Sequence, residues 1–388
     1  MIENFPDGWR VEKLGDICQF INGYSFKSNA FQNHGIPIVR IGNLVNDEIN
    51  LADSVCYKED NKLKPYIIYR SDILIAMSGV TTGKMAFSNL DKKLYLNQRI
   101  GAMRTNKSIL LSKYLFNFLL GKKSYLLSLA GGSAQPNLSS NDIKKLIIPI
   151  PPLPQQEKIV KVLDISSALI EKQKELIKNY DLFLKSKFIE MFGDPIKNPF
   201  TWEVEKLEKL ANIKTTSINS DRITNEIYIA LDSIEKNTGK LVKVYKSDES
   251  NIKSNKYIFT SDMLLYGKLR PYLNKVLLPS FNGICSTDIL PIKPIDDIST
   301  KQYVAYYLRH TKIVELLSNS VSGANLPRVS PKILRNLNIQ NPPLTLQNKF
   351  ASIVEKTEII KEKENKKLTS LQTLHNSLMD KAFKGEII

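Results

Sequence analysis

The chain repeats itself once, at long range. Gly8-Trp9-Arg10-Val11-Glu12-Lys13-Leu14 returns as Thr201-Trp202-Glu203-Val204-Glu205-Lys206-Leu207, with the only two tryptophans 193 positions apart. Pro151-Pro152-Leu153 returns 191 positions later as Pro342-Pro343-Leu344, and a long lysine-rich helical pattern follows each copy. The order is therefore block, helix, block, helix. Solenoid units run roughly 20–50 residues, so this period marks a duplicated domain. Two related domains with a helical spacer imply a ligand with two related halves.

The 388 residues suffice for two or three domains with cores of their own. No apolar run reaches the length of a membrane-spanning helix, and Met1-Ile2-Glu3-Asn4-Phe5-Pro6 has no signal-sequence character. Cys18, Cys56 and Cys285 lie far apart, in no metal-binding spacing. These features predict a cytoplasmic protein without membrane contact, disulfides, metal or other cofactor. The net charge is +16, and its placement is informative. Residues 155–193 carry seven Lys against six acids and residues 345–384 carry eight against five, so most of the excess lies on the blocks. Basic blocks suit a polyanion such as DNA. A lysine-rich composition inherited from an AT-rich genome accounts for the same charge.

Within the first block, Ile36–Asn43 and Asp72–Met77 read as apolar strands bounded by turn residues. Lys113–Leu129 reads as a helix stopped by Gly131-Gly132, and Lys145–Pro152 as a closing strand. The second block repeats this plan: Asp262–Tyr266 matches the second strand and Tyr303–Leu317 the helix. Ser322-Gly323-Ala324-Asn325-Leu326-Pro327 matches Gly132-Ser133-Ala134-Gln135-Pro136. At a constant offset of 191, Pro136, Ser139, Ile143, Leu146, Gln156 and Lys158 align with Pro327, Ser330, Leu334, Leu337, Gln347 and Lys349. The expected fold is α+β: two homologous blocks, each a twisted, mostly antiparallel sheet with helices, joined by two long helices.

The first long helix has a seven-residue period. Leu163, Ile170, Ile177, Leu184 and Met191 form one stripe, and Val162, Leu169, Leu176 and Phe183 its neighbour. A strict heptad makes a supercoiled seam. In the second helix Ile353, Ile360 and Leu374 share a stripe that Lys367 interrupts, and the run Lys361–Lys367 reads as solvated. The two helices are expected to pair antiparallel within one chain and to leave apolar surface for other proteins.

Catalytic motifs fail on inspection. Asn341-Pro342-Pro343-Leu344 has the outline of the adenine-methyltransferase motif, but Leu344 replaces the stacking aromatic and the repeat, Ile150-Pro151-Pro152-Leu153, lacks the Asn. Gly79-Val80-Thr81-Thr82-Gly83-Lys84-Met85 is one residue short of a P-loop and lacks its Ser/Thr, so it reads as a turn carrying a base. His34, His310 and His375 have no catalytic partner in sequence, which leaves surface or capping roles. The expectation is a binding protein with no catalytic residues.

This pattern resembles the specificity subunits of type I restriction–modification systems over the whole chain. The carriers are Gly8-Trp9, Thr201-Trp202, Phe26-Lys27-Ser28, Ile36–Ile41, Gly132–Gln135, Pro151–Val160 and Ser377–Glu386. Leu344-Thr345-Leu346-Gln347-Asn348-Lys349 departs from the usual acidic, Gln-rich junction, although the repeat alignment holds there. The resemblance implies target recognition domains at 1–152 and 194–343, with spacer helices at 153–193 and 344–388 in an antiparallel coiled coil. It implies that each domain reads half of a split double-stranded DNA target. It also implies that the helices dock two methyltransferase subunits, that restriction–translocase subunits complete the complex, and that adenine methylation, ATP hydrolysis and cleavage belong to those partners. The seam residues above would then also serve partner docking. A helix over 155–191 spans about 55 Å and a DNA turn about 34 Å, so such a spacer can fix two reading heads in phase.

Phosphate contacts need Lys, Arg and small polar donors, and base contacts need Arg, Asn, Gln or Ser. The candidates are Tyr24, Lys27, Lys84 and Arg99 in block one and Lys268, Arg270, Tyr272, Lys275 and Arg328 in block two. A solvated surface charge is the competing reading for each. Three other functions stay open: a recognition partner for an enzyme with fused methylase and nuclease, a coiled-coil adaptor with no nucleic-acid role, and an enzyme with an unrecognised site.

Overall fold

The computed structural model describes residues 5–131, 136–249, 252, 254–321 and 326–386. The glycine-rich stretches Gly132–Gln135 and Ser322–Asn325, and with them the second glycine of the expected helix stop, lie outside the described residues. The chain forms two compact units, residues 1–172 with 367–388 and residues 173–366. The boundary falls inside both long helices, Leu153–Phe192 and Leu344–Phe383. We call the globular parts head one and head two.

Among the described residues, head one holds a six-stranded sheet whose centre is Ile100–Thr105, Ile73–Ala76 and Met85–Phe87. It also holds a four-stranded sheet centred on Ile36–Val39 and Leu94–Leu96. Head two has the same core order: Ile289–Pro294 beside Leu264–Gly267 and Val276–Leu277 in one sheet, and Ile227–Ile229 beside Gly283–Cys285 in the other. The pairing is mostly antiparallel, as expected. One parallel pair recurs in both heads, with Tyr95 opposite Ile38 and Ile284 opposite Tyr228.

The unbroken apolar strands follow from burial on both faces. Ile73 and Ile75 point into a core shared with Tyr114, Leu115 and Leu119, while Leu74 and Ala76 point into a second core with Val39 and Leu96. Leu264 and Tyr266 pack with Tyr303 and Val304, and Leu265 packs with Ile229 and Phe259. The helices covering these sheets are shorter than the sequence suggested. Lys113–Leu129 is two helices, Ser112–Gly121 and Lys123–Leu129, with the break at Lys122. Tyr303–Leu317 breaks at His310, whose extended backbone ends Lys301–Arg309. His310 then caps Thr311–Asn319 by accepting from Lys312 N at 3.3 Å, which is the capping role expected of it.

Each head is bolted to its long helix by a fully buried glutamine. Gln156 Nε2 donates to the carbonyls of Ile109 (2.8 Å) and Pro151 (2.9 Å), and its Oε1 accepts from Leu111 N (2.8 Å). Gln347 donates to Ile298 (3.1 Å) and Pro342 (2.9 Å) and accepts from Thr300 N (3.1 Å). The Pro-Pro-Leu repeats are thus strand-to-helix joints, and Asn341 donates its backbone N–H to Glu203 O.

Within each unit the long helices pair antiparallel, as expected. In the first unit Ser166 meets His375, Oγ to Nδ1, at 2.7 Å, and Ile159 and Leu163 pack into the core that holds Met379 and Ala382. In the second, Gln173 bonds Glu364, Lys361 bridges Asp181 (2.6 Å) and Glu358 (2.8 Å), and Phe188 and Phe192 pack on Phe350. The seam corrects the expected register. Leu163, Ile170 and Leu184 are buried and Ile177 half-buried, but Val162, Leu169, Leu176 and Phe183 are exposed. On the second helix the buried side runs one residue later than expected, through Val354, Lys361, Leu368 and His375, so Ile360 and Leu374 are exposed and Ile353 is half-buried. The run Lys361–Lys367 is correspondingly not wholly solvated: Lys361 and Glu364 face the partner helix.

Candidate nucleic-acid interface

Both heads build the same loop cluster from backbone hydrogen bonds. In head one the strand Ile36–Val39 runs into a 3-10 turn, Ile41–Asn43, where Asn43 Oδ1 accepts from Arg40 N at 2.9 Å. A second turn, Asn97-Gln98-Arg99, is pinned by Asn97 N donating to Val39 O at 3.2 Å. Met77 N donates to Arg99 O (2.9 Å), which ties that turn to the loop Ser78–Lys84. Ala76 N donates to Lys84 O (2.8 Å) and closes the loop. Gly79 N and Leu138 N, donating to Pro136 O (3.2 Å) and Met77 O (2.7 Å), attach it to the stretch beyond residue 135.

Head two repeats these bonds. Ser233 Oγ accepts from Ala230 N (3.1 Å), and Ser286 N donates to Ile229 O (2.9 Å). Lys268 N donates to Asp288 O (2.9 Å) and Gly267 N to Lys275 O (2.8 Å). Arg270 N and Val329 N donate to Pro327 O (2.8 Å) and Lys268 O (2.9 Å). The two loop sets are equivalent in backbone and different in side chain.

Head one presents a cleft of about 570 Å³ lined by Arg40, Asn43, Asp53, Asn97, Gln98 and Arg99. Its asparagines are structural: Asn43 Nδ2 donates to Asn50 O (2.9 Å) and Asn50 Oδ1 accepts from Ala52 N (2.9 Å). Arg40 reaches Asp53 O with one Nη (3.2 Å). Gln98 and Arg99 are exposed. Tyr24 sits beside this turn, its N donating to Leu96 O and its O accepting from Gln98 N, both at 2.8 Å, with its ring against Phe26 and Tyr66. Lys27 is exposed one residue before a 3-10 turn. Lys84 is half-buried at the base of a loop whose apex, Val80, is 95% exposed. The P-loop look-alike is that loop, as read, and leads into the strand Met85–Phe87, not a helix. The structure thus brings Tyr24 and Arg99 together and joins Lys84 to them through one loop, with Lys27 displaced along the chain.

Head two carries its cations on the other loop. Arg270 and Tyr272 are exposed on Lys268–Lys275, and Arg328 is its bridge neighbour through Leu269. Arg328 pairs with Asp288 at 3.5 Å, so the turn that is cationic in head one bears an acid here. Asp232 on the 3-10 turn accepts from the Tyr245 hydroxyl. Lys275 departs from the expected outward contact. Its Nζ points inward to Leu231 O at 2.6 Å, and burial lowers its pKa. It holds the loop to the 3-10 turn, because a half-buried ammonium requires an acceptor.

Arg40, Gln98 and Asp288 were missed by sequence reasoning. They sit on turns just after strand ends, where no periodicity marks them; the strand expected over Ile36–Asn43 ends at Val39. Among the described residues no cluster of His, Cys, Asp and Glu is suited to a metal, and no helix is long and apolar enough to cross a membrane.

The model of the type I restriction modification DNA specificity domain matches the chain twice, at residues 6–179 and 199–372. The EcoDI specificity subunit of a type I restriction enzyme from Escherichia coli is 24% identical, with 98% of this chain and 89% of the relative covered. The MjaIX specificity subunit from Methanocaldococcus jannaschii is 26% identical over 100% of this chain and 95% of its own. Among solved structures, a chain of a type I restriction–modification assembly matches with a TM-score of 0.60 at 18% identity, covering 99% of each chain. The S subunit from M. genitalium matches with 0.55 at 15% identity, covering 98% of this chain and 96% of that one. These structures share the fold.

Proposed function

Because the chain belongs to the type I restriction–modification DNA specificity family, we propose that it is the DNA-reading, non-catalytic subunit of such a system. Each head reads one half of a bipartite double-stranded target. The observation that carries this reading is the duplicated loop cluster: one backbone framework holds Arg40, Gln98 and Arg99 in head one and Arg270, Tyr272 and Arg328 in head two. A binding protein that needs two different specificities from one scaffold is expected to vary those side chains and keep the frame. Tyr24, Lys27 and Lys84 join the first set and Lys268 the second, as phosphate or sugar contacts. Lys275 supports its loop.

The long helices dock two methyltransferase subunits and, in the full assembly, restriction–translocase subunits. The exposed residues Val162, Leu169, Leu176 and Phe183 suit that role, since a repeating apolar stripe left in water calls for a partner. Adenine methylation and cleavage belong to those partners. The test is to express the chain with its cognate methyltransferase and map N6-methyladenine across the host genome. A split motif with a fixed gap is expected. Methylation with no sequence preference, or DNA binding by the purified complex that does not weaken with salt, would contradict the reading.

A further inference from the structure

Among the described residues, Arg270 in head two is the cation with a left-handed backbone. Arg270 has φ +53° and ψ +66°, in the left-handed region that a β-carbon disfavours. The residue holding the equivalent bond in head one is Gly79, φ +97°, which takes such conformations without penalty. One repeat thus uses glycine at this corner and the other keeps a large charged residue there. A side chain retained at a position that favours glycine points to a use for the side chain.

The surroundings show which use. Arg270 N donates to Pro327 O and its O accepts from Leu273 N, so the corner is fixed at both ends. Pro271, buried and with a ring-locked φ, follows directly, and Asn274, also left-handed, closes the short 3-10 turn. The guanidinium has no partner among the described residues; Arg270 is exposed, as is Tyr272 two residues on. Arg328, next to it, is already engaged by Asp288. A phosphate contact does not require this arrangement, because a flexible lysine on an unstrained residue makes one. A planar fork on a rigid, strained corner suits a ligand that must be met at one angle. The DNA edge that offers two acceptors in the spacing of that fork is guanine O6 and N7 in the major groove.

We infer that Arg270 is the specificity-determining residue of head two that reads a guanine. The inference rests on the reading of the chain as a DNA specificity subunit and adds a residue and a base to it. The test uses the whole complex with its methyltransferase and two variants, Arg270→Gly and Arg270→Lys, each assayed for thermal midpoint, salt-dependent DNA binding and methylation motif. Arg270→Gly is expected to melt no lower than the wild type, because it removes the strain. It is also expected to lose discrimination at one G·C pair in one half of the motif, by about tenfold or more, with the other half intact. Arg270→Lys, which keeps charge but not fork, is expected to hold its salt dependence and show the same relaxed position.

Three results would overturn the inference. One is an unchanged motif in Arg270→Gly. Another is binding weakened equally at all sequences and restored by Arg270→Lys, the signature of a phosphate clamp. The third is a lower melting point for Arg270→Gly, which makes the arginine structural. A wild-type complex with no split motif would remove the underlying reading and this assignment with it. A split motif whose halves both survive the variants removes this assignment alone.

Discussion

Head one and head two hang different chemistry on one frame. The bond from Met77 to Arg99 in the first is the bond from Lys268 to Asp288 in the second, with the same 2.9 Å length, yet the turn ends in a cation in one and an anion in the other. The corner that is Gly79 in one is Arg270 in the other. The buried parts are shared: Tyr114 donates its hydroxyl to Pro149 O at 2.8 Å and Tyr303 to Gln340 O at 2.7 Å, each tying a covering helix to the closing strand. Backbone bonds and cores preserve the loop positions, so the side chains those bonds do not use, such as Gln98, Arg99, Arg270 and Tyr272, are free to change.

The comparison breaks first where equivalent strands use unequal ion pairs. Asp72 is almost fully buried and takes Arg104 through two bonds, 2.9 and 2.7 Å, with Arg104 stacked over Tyr69. Asp262, one residue before the position equivalent to Asp72, meets Lys293 at 2.8 Å with half its side chain in water. Asp72→Ala should therefore destabilise its unit by about 3 kcal/mol, since it leaves a half-buried guanidinium and a backbone N–H without their acceptor. Asp262→Ala should cost less than about 1 kcal/mol. Denaturant melts with hydrogen exchange assigned to each unit measure both, and equal costs would show that burial does not set the difference.

The glutamine bolts should behave alike. Gln156→Ala and Gln347→Ala each orphan three backbone groups and should each cost about 2–3 kcal/mol, confined to their own unit. A negligible loss for either would mean that the joints are not equivalent. Smaller and opposite in sign are the corner substitutions. Gly79→Ala should cost about 1 kcal/mol and Arg270→Gly should gain a few tenths to about 1 kcal/mol, read as shifts in thermal midpoint.

The smallest expected effect is on pH dependence. Burial lowers the pKa of His375 in the seam of the first unit, so the folded state favours the neutral ring. As pH falls through 6.5 the unfolded chain takes up the proton first, and stability declines until the folded pKa is passed. His375→Gln should remove this acid loss from the first unit. It should leave that of the second, where burial lowers His310 in the same direction. Unchanged acid sensitivity of the first unit in His375→Gln would show that the seam histidine does not contribute.

Much of this was legible in the sequence. Buried strands and joints repeat because their residues face cores in both heads, so Pro152, Leu153 and Gln156 predict their partners 191 residues on. The heptad in the first helix was visible through Leu163, Ile170 and Leu184. The second helix misled by one position because its seam is partly polar, and Lys361, Glu364 and His375 resemble surface residues until the facing Asp181, Gln173 and Ser166 are seen. Of the candidate contacts, Lys275 shows what residue type alone cannot convey: a lysine between turns reads as exposed, and only the carbonyl of Leu231 reveals its inward course. Arg40, Gln98 and Asp288 escaped notice because long-range backbone bonds, not local pattern, assemble their turns.

The central claim is that each head reads its own half of a split target. The most direct test compares methylation motifs of the assembled complex carrying Gln98→Ala with Arg99→Ala, or carrying Arg328→Ala. The head-one pair should relax positions in one half only and the head-two change positions in the other half only, with the gap unchanged. Both variants altering the same half, or each altering both halves, would contradict the account.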